Sequence, residues 1–196
     1  MNLRRAKTVC FEGGDCKGKL TQAKRLLTHL RESGHKAVYV EIPWKSGVTY
    51  PLIYKMLENG SAQSHKHLFQ IVQFFNKFFF QVTRLNALKK NNDFVIFDRW
   101  SLSSAVYGAV TGVNRYLTAS MYSLLEEPDS TVVLCGKSYN REDMDTYEKD
   151  QDLQRNVDGM YRMINVNNKL VVQIDGKSEE QISNEILKGL EMKGVL

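Results

Sequence analysis

Cysteine and proline are scarce in this chain, three of each in 196 residues. Cys10, Cys16 and Cys135 stand far apart with no Cys-x-x-Cys pair, which argues against a disulfide framework and against a cysteine-based zinc site. Cys10 and Cys135 fall in apolar runs and are expected to be buried strand residues. No apolar run approaches the length of a membrane span. The first seven residues are basic but lead into a strand-like run, not into a signal sequence with a cleavage site, so a cytoplasmic protein without a membrane partner is expected. Neither sign of charge dominates: 27 Lys and Arg face 22 Asp and Glu, a net charge of +5. The excess suits an anionic ligand such as a nucleotide, but the basic residues are scattered and nucleic acid is not an expected partner. Internal repeats, low-complexity segments and a convincing domain linker are also missing. With 42% hydrophobic and 25% charged residues, the chain reads as a single domain over residues 1–196 with one full core.

What is present is an alternation. Apolar runs of strand length recur at Thr8 to Phe11, Ala37 to Val40, Phe94 to Phe97, Thr131 to Leu134 and Leu170 to Ile174, separated by segments of helical spacing. This pattern predicts an α/β protein, with a parallel sheet of five strands flanked by helices on both faces. A helix beginning at Lys19 carries Ala23, Leu26, Leu27 and Leu30 on one face and ends near Gly34. A long helix is expected from about His67 to Leu88. Its middle, Phe74, Phe75, Phe78, Phe79 and Phe80, holds more rings than one face needs; most should pack in the core, while some could stack on a flat base or form a dimer interface. The polar stretch 136–150 lacks a periodic apolar face and reads as a surface loop that could act as a lid.

The chemistry concentrates in two places. Between the first strand and the first helix, Gly13-x4-Gly18-Lys19 has the form of a phosphate-cradling loop: glycines let backbone N–H groups face phosphate oxygens, and the helix behind adds its positive dipole end. Gly13, Gly14, Asp15, Cys16, Lys17, Gly18, Lys19, Leu20 and Thr21 are therefore the candidate ATP-binding residues, with Lys19 reaching the β and γ phosphates. Where the pattern asks for a metal-binding hydroxyl the chain has Leu20, and Thr21 follows one position late. After the third strand stands Asp98-Arg99-Trp100. An acid at the carboxyl end of a strand is well placed for Mg²⁺ or its waters, and Arg99 adds a donor fork for phosphate; a helix cap or a surface ion pair is the plainer alternative for such a pair.

Residues 11–22, Phe-Glu-Gly-Gly-Asp-Cys-Lys-Gly-Lys-Leu-Thr-Gln, closely resemble the opening of thymidylate kinases. Asp98-Arg99-Trp100-Ser101-Leu102-Ser103 is similar to their Asp-Arg-aromatic-x-x-Ser element. Tyr107, Pro128-Asp129, the segment from Asp145 to Tyr161, and Ile174-Asp175-Gly176 follow in the family's order. The resemblance implies a three-layer P-loop kinase fold and transfer of the ATP γ-phosphoryl to dTMP or a related deoxynucleoside monophosphate, with ATP and Mg²⁺ as cofactors and a homodimer as the assembly. It implies catalytic roles for Lys19, Asp15, Arg99 and Lys17, a substrate site at Asp15, Lys45, Phe74, Lys77, Arg99, Ser103 and Tyr107, and Asp98 as metal ligand.

The chain also departs from the family pattern. Lys45 and Lys77 stand where arginines are usual, which keeps charge but loses the bidentate fork. Thr146 replaces a lid arginine for which Lys17 could substitute, and Leu20 removes a hydroxyl. These departures leave open two alternatives. One is a divergent or viral protein that binds nucleotide with impaired catalysis; the other is a kinase of modified pyrimidine nucleotides or polynucleotide ends.

Overall fold

The computed structural model describes residues 5–137 and 151–196. Five strands, β1 (Lys7–Gly13), β2 (Ala37–Glu41), β3 (Phe94–Asp98), β4 (Ser130–Cys135) and β5 (Lys169–Gln173), form one parallel sheet in the order β2-β3-β1-β4-β5. All five fall on the runs anticipated from sequence; β5 begins and ends one residue early. The register pairs Phe11 with Asp98 and Gly13 with Leu134, so the carboxyl ends of β1 and β3 open side by side.

Successive strand residues point to opposite faces, and both faces are covered, which is why the runs are continuously apolar. On one face Val9 and Phe11 pack with Ala23, Leu26 and Leu30 of α1 (Lys19–Glu32), and with Ile182, Ile186 and Leu190 of the C-terminal helix Glu179–Met192. That last helix starts with a capping box in which Ser178 and Gln181 exchange bonds. On the other face lie α4 (Lys66–Phe80), α6 (Ser101–Val110) and α8 (Gln151–Met163), counted in chain order after the short helices α2 (Tyr50–Glu58) and α3 (Ser61–Ser64), with α5 (Asn86–Asn91) and α7 (Arg115–Tyr122) between them. Cys10 and Cys135 are buried in strands, as their apolar surroundings required.

The expected long helix from His67 is present but interrupted. Between α4 and α5 the chain widens into a π-helical turn, Gln81–Leu85. Phe80 and Leu85 are both buried in the core beneath β3, yet residues five apart on a regular α-helix diverge by about 140°. The wider turn brings both inward. Below this turn Trp100 is fully buried, stacked on Phe97 at 4.8 Å between centroids, with its indole N–H donating to the carbonyl of Glu126 at 2.8 Å.

A polar clamp sets the level of β4 against β1. The Asp129 carboxylate accepts from the Thr8 backbone N–H at 2.8 Å and from the Thr8 hydroxyl at 2.7 Å, and the Asp129 N–H donates back to Thr8 Oγ1 at 2.9 Å. Among the described residues, no helix is long and apolar enough to cross a membrane.

Gly13 closes β1 where the sheet leaves no room for a side chain. Its φ is +141°, and a Cβ there would lie 2.5 Å from the Leu134 carbonyl oxygen. Gly13→Ala should therefore destabilise the protein by at least about 2 kcal/mol, read as a lower urea midpoint at unchanged m-value. An unshifted midpoint would show that the β1–β4 edge yields freely.

Candidate active site

The loop from Gly13 to Lys19 leaves β1 and enters α1 through Gly18, whose φ of +77° is the left-handed conformation that glycine adopts without strain. Lys19 is the first helical residue and is 8% exposed; its ammonium curls back to donate to the carbonyl of Gly14. Burial, with Arg99 close by, lowers its pKa to about 8 against the opposing pull of Asp15, Asp98 and Glu12. Lys17 is 4% exposed and pairs with Asp158 of α8 at 3.4 Å, which ties the back of the loop to that helix.

Across the β1–β3 edge, Arg99 adopts φ +66°, unusual for a residue with a side chain, and its N–H bonds to the carbonyl of Phe11 at 2.9 Å. That turn sends the guanidinium over the loop. It donates to the Gly13 carbonyl at 3.2 Å and to Ser103 Oγ at 3.1 Å, and forms a close ion pair with Asp15. Asp15 also accepts from the Tyr107 hydroxyl at 2.6 Å and from the Gln154 amide at 2.8 Å, while its backbone N–H donates to Gln154 Oε1 at 2.8 Å. Burial opposes charge on Asp15, but Arg99 and Lys19 prevail and hold its carboxyl below the usual range. Asp98 points the other way: burial raises its pKa, although Lys19, Arg99 and the Tyr39 hydroxyl, which donates to it at 3.1 Å, favour the anion.

Next to Arg99 opens a cavity of about 220 Å³ between α4 and α6. Asp15, Arg99, Ser103 and Tyr107 line it toward the loop, and Lys77 lines it from α4. Lys77 is 2% exposed; its ammonium donates to Ser104 Oγ at 2.8 Å and to Gln73 Oε1 at 3.2 Å. Burial lowers its pKa to about 7, assisted by Arg99 and opposed by Glu12. A glycine loop at a helix N-terminus, a bridging arginine and a second, adjoining cavity can hold two phosphate-bearing molecules with their phosphates meeting at Arg99.

A sequence model of the family described as thymidylate kinase matches residues 11–186. The chain belongs to that family. It is therefore a phosphotransferase by membership. A thymidylate kinase of Dinoroseobacter shibae is 34% identical over 144 residues, 65% of this chain and 63% of the relative, so the match spans under two thirds of that protein. A protein of Methanococcus aeolicus named "Probable thymidylate kinase" is 26% identical over 97% of this chain and 98% of its own length. Among solved structures, the thymidylate kinase of Candida albicans superposes with a TM-score of 0.79 at 21% identity, covering 97% of this chain and 93% of that one, which establishes the fold.

Within this thymidylate kinase fold, two of the residues anticipated at the substrate site lie elsewhere. Phe74 faces the core and not the cavity: it is 6% exposed, stacks on Phe78 at 5.5 Å and meets Tyr122 edge-on. Its position follows from helical phase, since Gln73 and Lys77 take the cavity side of α4 and Phe74 is turned about 100° from Gln73. The ring that α4 does give to the cavity is Phe69. Lys45 does not line the cavity either. Its side chain is 60% exposed and pairs with Glu41 at 2.8 Å. The cause is Asn76, fully buried, which accepts from the Trp44 N–H at 2.6 Å and donates to the Trp44 carbonyl at 3.2 Å and to Thr49 Oγ1 at 3.1 Å, fixing the turn that carries Lys45 outward. Leu20 is 47% exposed at the start of α1. Thr146 and residues 138–150 of the anticipated lid lie outside the described residues.

Sequence reasoning gave no role to Glu12, Gln70, Gln73 or Lys66. Polar residues at steps of three and four in an otherwise apolar helix were the available sign of the last three. Glu12, at the end of an apolar run, is completely buried and accepts from the backbone N–H groups of Trp100 (2.8 Å) and Ser103 (3.2 Å), from the Ser103 hydroxyl and from the Tyr161 hydroxyl at 3.0 Å.

Because Lys77 sheds its proton near pH 7, the cavity loses a positive charge as pH rises. The acceptor KM should climb several-fold from pH 6 to pH 9. Lys77→Arg should flatten that rise, because a guanidinium keeps its charge. Superimposable KM–pH profiles for the two proteins would remove Lys77 from acceptor binding.

Proposed function

We propose that the protein transfers the γ-phosphoryl of ATP to the 5′-phosphate of thymidylate or a closely related deoxynucleoside monophosphate, forming the diphosphate. The observation that carries this reading is the placement of Arg99, which touches the loop through Gly13 and Asp15 and at the same time lines the adjoining cavity. One guanidinium reaching both sites can draw together two phosphates that repel each other, and phosphoryl transfer depends mainly on such positioning and charge neutralisation.

On this reading the backbone N–H groups of Gly14 to Thr21 and the Lys19 ammonium bind the donor phosphates. Lys19 moves from the Gly14 carbonyl to the phosphates, and the arriving negative charge restores its proton affinity. Asp15 and Tyr107 orient the acceptor sugar, Arg99 spans donor and acceptor, and Lys77 binds the acceptor from the α4 side. Among the described residues no three His, Cys, Asp or Glu side chains form a group that could hold a metal ion. Asp98 at the β3 edge and the nucleotide's own oxygens are therefore the ligands that fit Mg²⁺, with Asp98 acting directly or through water. When bound, Mg²⁺ neutralises charge on the transferring phosphoryl group.

Leu20 supports a second reading, a nucleotide binder with weakened catalysis, because its exposed apolar side chain stands where a hydroxyl would face the ion. The complete set of Lys19, Asp15, Asp98 and Arg99 favours the active enzyme. A homodimer and a cytoplasmic location belong to the same proposal. The row of partly exposed Leu68, Phe75, Phe79 and Val82 along α4 and the turn after it is the apolar surface on which a second copy would sit.

Purified protein should convert thymidylate to its diphosphate with ATP, and Lys19→Met, which keeps most of the buried volume, should lower kcat at least about a hundredfold. Equal turnover by wild type and Lys19→Met would overturn the donor assignment. Leu20→Ser should reduce the Mg²⁺ concentration needed for half-maximal rate several-fold. A Mg²⁺ dependence untouched by the change would show that another group already does the hydroxyl's work.

A further inference from the structure

The cavity does not end where the acceptor phosphate would. It continues along one face of α4, where Lys77, Gln73, Gln70 and Lys66 succeed one another at steps of four, three and four residues and span about 16 Å at 1.5 Å per residue. Every one of these side chains offers nitrogen donors. Gln70 is 4% exposed, and its amide oxygen is taken by the Tyr122 hydroxyl at 3.2 Å, which leaves its NH₂ group to the cavity without an acceptor among the described residues. Lys66, at the far end, is half-buried and anchored by a single bond to the Thr111 carbonyl at 2.7 Å. Among the described residues no carboxylate lies within ion-pair distance of it. The acid that lines the cavity, Asp15, is at the opposite end and already holds Arg99, Tyr107 and Gln154.

A row of donors ending in an ammonium with one carbonyl partner and no counter-ion among the described residues has room for oxygens beyond those the protein supplies. The acceptor phosphate answers the Arg99 end, and a pyrimidine carbonyl answers the middle. The methyl group of thymine would leave Lys66 facing carbon. We infer that Lys66 and Gln70 form a subsite for an oxygen-bearing, preferentially anionic, substituent on the base, so that the favoured acceptors are pyrimidine deoxynucleoside monophosphates carrying a carboxylate or hydroxymethyl group at the 5-position. The inference rests on the reading of the cavity as a pyrimidine nucleotide site. Leu57, Ala62 and Phe69 wall this end, and their low polarity strengthens an ion pair made between them.

The test compares thymidylate with the 5-hydroxymethyl and 5-carboxy analogues of deoxyuridylate on the full chain, by calorimetric affinity and by kcat/KM, in wild type, Lys66→Met and Lys66→Arg. Wild type should favour the carboxy analogue over thymidylate about tenfold or more. Lys66→Met should bring that ratio close to one, and Lys66→Arg should keep most of it. Binding of thymidylate with a ratio that Lys66→Met leaves unmoved would overturn the subsite alone. Failure of all three nucleotides to bind wild type would overturn the pyrimidine-site reading and the subsite with it.

Discussion

A carboxylate with no access to water holds the two halves of the site together. Glu12 is completely enclosed at the end of β1, where desolvation alone would cost several kcal/mol if its oxygens were left bare. They are not: backbone N–H groups at the start of α6, the Ser103 hydroxyl and the Tyr161 hydroxyl of α8 converge on it. The requirement to satisfy this one group fixes where α6 begins relative to the loop, and so where Arg99 must turn. The left-handed backbone of Arg99 is tolerated because both of its sides are held, by the Phe11 carbonyl before and the Glu12 carboxylate after.

Around that hub the site gathers cations. Lys19 and Lys77 are both enclosed and both hold their protons less firmly than a free lysine, chiefly because burial disfavours charge. Arg99 keeps its charge through Asp15. A phosphate beside them would supply what burial removes, so the two lysines that hold their protons less firmly are the ones whose charge a bound anion restores most. The cost of keeping such groups enclosed is borne by the rest of the core, which lies on both faces of the sheet.

Much of this was legible in the chain, and the failures have a common origin. Continuous apolar runs marked all five strands because a doubly covered parallel sheet erases the alternation that a half-exposed one would show. The glycine loop between β1 and α1 and the turn at Asp98-Arg99 were readable as local structure because each is carried by consecutive residues. Phe74 and Lys45 were misplaced because their positions depend on phase and on a distant anchor: one residue of helical rotation sends Phe74 into the core, and Asn76, more than thirty positions from Trp44, orients the turn bearing Lys45. Glu12 resisted assignment since nothing in a local window distinguishes a buried acceptor of four donors from a strand-end surface charge. The interrupted helix after Phe80 was likewise set by the core that Phe80 and Leu85 share, not by the sequence of the turn.

The stacking of Trp100 on Phe97 has a spectroscopic consequence. The chain has two tryptophans: Trp100, fully buried with its backbone N–H on Glu12, and Trp44, half-buried at the outer turn and edge-on to Phe80. Emission from the first arises in an apolar, solvent-free setting one residue from Arg99, whereas emission from the second arises where water and soluble quenchers can approach. The protein thus carries its own pair of optical probes, one next to Arg99 and one in the turn that Asn76 fixes, whose signals a collisional quencher would separate.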